Sequence, residues 1–80
     1  MSKTDKLLEK FKLAKGTFKW RDLISLLTHL GFKIIEAEGS RVTFTNGRVT
    51  IKLHKPYPQK EVKAYAVKQV KQTLKNEGLL

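Results

Sequence analysis

The spacing of apolar residues changes twice along this chain, and that change restricts the fold more than any single motif does. Up to Gly31 the apolar positions keep a helical period, from Lys33 to His54 they alternate, and beyond Pro56 and Pro58 the helical period returns. Thr4 to Lys15 carries Leu7, Leu8, Phe11 and Ala14 on one face, with Asp5 in the first turn and Gly16 at the stop. A second helix begins near Trp20, aligns Trp20, Leu23, Ile24, Leu27 and Leu30, and ends at Gly31, with Phe32 placed to pack behind the cap. β-Branched residues then collect in three runs, Lys33 to Glu38, Ser40 to Thr45 and Arg48 to His54. Lys55-Pro56-Tyr57-Pro58-Gln59 reads as a loop, because each proline lacks an amide donor and constrains the residue before it. The last helix is expected from Lys60 to Asn76, with Val62, Ala66, Val70 and Leu74 inward and Gly78 as its stop. Lys68, Lys71 and Lys75 fall on its other side, either as a solvated face or as a rail for phosphates.

Asn46-Gly47, between the second and third runs, is a strong hairpin signal, since a type I′ turn needs positive φ at both central positions. A two-residue loop there pairs Thr45 with Arg48, Phe44 with Val49, Val42 with Ile51 and Arg41 with Lys52. The apolar members of these pairs share the face that helices must cover. Arg41, Thr43, Lys52 and His54 are therefore expected together on the opposite face, with His54 diagonal to Arg41 at about 7 to 8 Å.

Residues 1–80 are expected to form one domain, because a chain this short buries only about 60 to 65% of its unfolded surface and cannot divide it. The absence of Cys removes a disulfide framework, a thiolate zinc site and a cysteine nucleophile together. No apolar run approaches a membrane span and the N-terminus lacks the apolar stretch of a signal peptide, so the expectations are no membrane partner and a cytoplasmic location. Charge is the strongest compositional signal: 17 Lys plus Arg against 7 Asp plus Glu give a formal +10. Such an excess repels itself in a compact state and favours a polyanion such as nucleic acid, the alternative being a surface that is merely soluble.

The order of elements, helix, helix, three strands, helix, contains the α-β-β-β-α arrangement of the double-stranded-RNA-binding fold with an additional N-terminal helix. The expected class is α+β, a three-stranded antiparallel sheet packed on helices. Within that order, Leu30-Gly31-Phe32, Glu38-Gly39-Ser40-Arg41-Val42-Thr43-Phe44, Leu53-His54-Lys55-Pro56-Tyr57-Pro58, Lys60-Glu61-Val62-Lys63 and Glu77-Gly78-Leu79 together resemble the HicA family of toxins. The resemblance covers residues 20–80, and residues 1–19 correspond to the extra helix of a longer subgroup. It implies a metal-independent endoribonuclease acting on messenger RNA and paired with a HicB-type antitoxin protein; separately, no cofactor is expected, and the free chain is expected to be a monomer. One departure matters. Many members carry a histidine directly after the Gly-Ser pair, usually taken as the proton-exchanging group, where this chain has Arg41. A second histidine of the proline loop is likewise replaced by Tyr57. Arginine does not exchange a proton near neutral pH. Either Arg41 only binds phosphate and proton transfer has moved elsewhere, or the protein grips RNA without cutting it, as a non-catalytic RNA-binding module.

Of the two histidines, His29 lies opposite the apolar stripe of its helix and is read as a solvent-exposed residue without a role. His54 ends the third strand near Arg41, Lys52 and Lys55, where neighbouring cations favour the neutral imidazole that a base requires. RNA is cleaved without metal when its own 2′-hydroxyl attacks the adjacent phosphate, which needs a base, an acid and positive charge on the phosphorane oxygens. His54 is the candidate catalytic residue, and Ser40, Arg41, Lys52, Lys55 and Tyr57 are the candidate RNA-binding set, Tyr57 either stacking on a base or packing on its loop. A serine hydrolase built on Ser40 lacks an acidic partner and a nucleophile elbow, and no carboxylate cluster suggests a metal site.

Overall fold

The computed structural model describes residues 3–36, 39–56 and 60–80. Its elements are α1 (Lys3–Leu13), β1 (Phe18–Lys19), α2 (Trp20–His29), β2 (Lys33–Glu36), β3 (Arg41–Thr45), β4 (Thr50–His54), β5 (Glu61–Val62) and α3 (Ala64–Asn76). β2, β3 and β4 form an antiparallel sheet in that order, and the short β1 and β5 pair separately. This is the α+β, double-stranded-RNA-binding-like arrangement α-β-β-β-α with a helix added in front. No helix among the described residues is long and apolar enough to cross a membrane.

Alternation decides which face of the sheet is covered. Val42, Phe44, Ile51 and Leu53 are buried, while their neighbours Arg41, Lys52 and His54 are exposed. Against the apolar face lie Leu23, Leu26 and Leu27 of α2 and Ala66, Val67, Val70 and Leu74 of α3. Leu26 and Val67 were not on the expected stripes; each stands three residues from a stripe member and widens the buried arc. Trp20 meets the edge of Phe44 at 5.8 Å, which fastens the start of α2 to the central strand. Phe11 brings α1 into the same core through an edge contact with Phe18 at 5.1 Å.

Both α2 and α3 stop as their glycines dictate. After α2, Phe32 N–H donates to Leu27 O at 3.0 Å and Gly31 N–H to Thr28 O at 3.1 Å, with Gly31 at φ 94°. This pair of bonds closes orphan carbonyls in the Schellman pattern and needs a residue that tolerates left-handed backbone. Leu79 and Gly78 repeat it behind α3, onto Leu74 and Lys75.

The hairpin forms where Asn46-Gly47 places it, but with a different loop. Thr45 pairs with Thr50, Phe44 with Ile51, Val42 with Leu53 and Arg41 with His54, so the register is displaced by two residues from the expected one. Only Gly47 has positive φ in this loop; Asn46 does not, which excludes the type I′ turn. Asn46 instead uses its side chain: Oδ1 accepts from Arg48 N–H at 2.9 Å and Val49 N–H at 2.7 Å, closing a loop from Asn46 to Val49 that lets Val49 reach the core. A displacement of two leaves every side chain on its expected face, because the pleat also repeats every two residues. Asn46→Ala strands both amides and is expected to lower unfolding stability by about 1 to 2 kcal/mol in urea titration, whereas Asn46→Asp keeps the acceptor and most of the stability. An unchanged midpoint for the alanine variant would show that water serves these amides equally well.

Two expectations about the last helix are corrected. It begins at Ala64 rather than Lys60, because Glu61 and Val62 are spent on pairing with Lys19 and Phe18, and Lys60 O accepts from Trp20 N–H at 3.0 Å. Val62 is buried as expected, but from a strand. The lysine stripe is not uniform either: Lys71 is half-buried, donates to the carbonyls of Lys12 and Ala14, and stands 5.9 Å from the centre of the Phe11 ring, while Lys68 and Lys75 stay exposed. Lys71 thus satisfies carbonyls at the end of α1.

Candidate nucleic-acid interface

The open face of the sheet is where the chemistry-bearing side chains gather. Lys55 N–H donates to Ser40 O at 2.6 Å, which makes Ser40 and Lys55 a hydrogen-bonded pair at the end of the ladder. The next pair inward, Arg41 and His54, is then of the non-hydrogen-bonded kind, in which Cα atoms approach to about 4.5 Å and side chains stand closest. Lys52 pairs with Thr43 and lies diagonal to Arg41 on the same face. The expected geometry had Arg41 facing Lys52 and His54 diagonal. The actual register exchanges them, which places His54 directly across from Arg41 and moves Lys52 to the diagonal, away from a direct cross-strand pairing of two cations.

Arg41, Thr43, Lys52 and His54 line one shallow hollow on this face. Ser40 and Lys55 are exposed at its open end; Tyr57, the remaining candidate, lies outside the described residues, as does Glu38. His29 is exposed and lies apart from this group, lining a recess between α1 and α2 with Lys10 and Asp22, which pair at 3.4 Å.

β5 gives the site a second wall. By pairing with β1 it holds the start of α3 beside the end of β4, and between them opens a cleft of about 280 Å³ lined by Lys52, His54, Lys55, Glu61, Lys63 and Tyr65. His54 and Lys52 thus border both the hollow and the cleft. Glu61 accepts from the Thr17 hydroxyl at 3.2 Å. Arg41, Lys52, Lys55 and Lys63 are exposed cations with no carboxylate partner among the described residues. Lys63 and Tyr65, which line this cleft, are not among the residues the sequence marked; the available signal was a large aromatic set off the apolar stripe of α3 between lysines.

Such a group can grip a phosphodiester. Guanidinium and ammonium hold its oxygens, and an imidazole within reach of the same phosphate can exchange a proton with the ribose. No curated protein and no solved structure matches the chain. The family model for the HicA toxin of bacterial toxin-antitoxin matches residues 20–79, from the first residue of α2 to the cap of α3. The chain belongs to the HicA toxin family of bacterial toxin–antitoxin systems.

Proposed function

We propose that this toxin is an endoribonuclease that cuts messenger RNA without a metal ion, and that Arg41, Lys52 and His54 form the site of one scissile phosphate. The observation that carries the reading is the direct pairing of Arg41 with His54 on an open, cationic sheet face. His54 takes the proton from the 2′-hydroxyl as its oxygen attacks the adjacent phosphorus, and returns a proton to the departing 5′-oxygen. Arg41 and Lys52 hold the charge that builds on the phosphorane oxygens. The products are a 2′,3′-cyclic phosphate and a 5′-hydroxyl. Ser40 and Lys55 extend phosphate contact at the open end of the ladder, and Tyr57 supplies a further RNA contact from the proline loop. The counterpart is an acidic HicB-type antitoxin that covers this face, drawn by the formal +10 charge.

The test is to incubate purified protein with cellular RNA in the presence of a chelator, and to express the chain with and without the acidic antitoxin. Fragments ending in cyclic phosphate, loss of messenger RNA during growth arrest, and rescue by the antitoxin are expected. Tight binding of RNA that stays intact would replace this reading with that of a non-catalytic RNA-binding module.

A further inference from the structure

Three recesses adjoin along one side of the molecule. The hollow on the open sheet face meets the cleft at Lys52 and His54, and the cleft meets a third recess, between the end of α1 and α3, at Tyr65. Tyr65 is therefore a ridge with a basic recess on either side: Lys55 and Lys63 lie on one, Lys15 and Lys68 on the other. The residue is 69% exposed although α3 has an apolar face, because Ala66, Val67 and Val70 occupy the inward positions and Tyr65 falls outside them. A single exposed aromatic on a soluble surface is ordinary. One that separates two lysine-lined recesses and borders the same cleft as His54 is placed where a polyanion with flat, apolar side groups would pass.

We infer that Tyr65 is a stacking platform for one base of a single-stranded RNA whose backbone runs from the Arg41–His54 pair through the cleft and over the ridge to Lys15 and Lys68. This rests on the ribonuclease reading for the nature of the ligand and adds to it the conformation required. Bases paired in a duplex do not offer a face to a protruding ring, so the track selects unpaired RNA. Every base has such a face, so the platform tolerates all sequences and sets where the strand lies rather than which base is cut. The neighbouring cations act on the phosphates on either side of the stacked nucleotide. Lys71, which also borders the third recess, does not serve the track, since its ammonium is given to the carbonyls of Lys12 and Ala14.

The experiment measures affinity by fluorescence anisotropy for a short single-stranded RNA and for a strand of the same length without bases, in a His54→Ala background so that nothing is cut. Adding Tyr65→Ala is expected to weaken binding of the RNA by about 5- to 100-fold and to leave the baseless strand within about twofold, whereas Tyr65→Phe, which keeps the ring, stays close to the parent on both. Equal weakening on both strands would show that the residue shapes the charge path rather than stacking, and overturns the inference. Unchanged RNA affinity overturns it too, while leaving the ribonuclease reading in place; loss of antitoxin binding alone would then mark the ridge as a protein contact. If the His54→Ala parent binds no RNA at all, both readings fall. Circular dichroism of the Tyr65→Ala protein controls for folding, which an exposed side chain is not expected to disturb.

Discussion

Replacing His54 by alanine is expected to abolish RNA cleavage, a loss of about 100- to 10,000-fold, and to end growth arrest on expression, with little change in RNA affinity or stability. The imidazole is exposed, so its removal opens no cavity, and it ends β4, where the backbone pairing that sets the register does not depend on it. On the proposed reading, Arg41 and Lys52 remain to hold the phosphate. The comparison variant is Arg41→Ala, which removes the guanidinium facing His54 and is expected to weaken both binding and cleavage. The two variants also differ in salt. Affinity of the parent falls linearly on a log–log plot of binding constant against salt; loss of Arg41 lowers that slope by about one and loss of His54 leaves it nearly unchanged. Full toxicity of the His54→Ala chain would remove His54 from the chemistry.

Where sequence and structure agree, the reason is that burial and backbone chemistry are local in the chain. The switch of apolar period near Gly31 is written residue by residue, and so is the alternation that places Arg41, Lys52 and His54 on the open face. The stops at Gly31 and Gly78 follow from one residue's access to left-handed backbone. The hairpin register departs from the two-residue expectation because the Asn-Gly pair specifies a turn and not its type: the Asn46 side chain competes for the loop amides and extends the loop to Val49. The displacement keeps every side chain on its expected face and changes the cross-strand partners, since two residues preserve parity but exchange which side chains stand opposite. β1 and β5 were invisible, because a two-residue strand carries no period. With them went the cleft and Tyr65, whose position beside His54 depends on a pairing between residues 18–19 and 61–62 that no local pattern announces.

Phe44→Ala should abolish toxicity by a different route, through the fold. Phe44 is 0% exposed on the central strand, paired with Ile34 of β2 on one side and Ile51 of β4 on the other. Truncating a buried phenylalanine costs about 3 to 5 kcal/mol, partly for lost transfer energy and partly for the cavity left behind. The edge contact with Trp20 at 5.8 Å goes as well, and with it the fastening of α2 to the sheet. At about 0.05 to 0.15 kcal/mol per residue, a chain of 80 residues is stable by about 4 to 12 kcal/mol, so this single change removes from a quarter of the stability to all of it. Urea unfolding followed by Trp20 fluorescence reads the loss directly, because the reporter packs on the substituted ring. Phe44→Leu, which refills most of the volume, is expected to cost less than about 1.5 kcal/mol and to remain toxic. The two inactive variants then separate cleanly: His54→Ala unfolds at the parent's midpoint and binds RNA, while Phe44→Ala unfolds early and takes with it the pairing of β3 with β4 that holds Arg41 opposite His54. A Phe44→Ala protein with the parent's midpoint would mean that the core on this face does not hold the sheet.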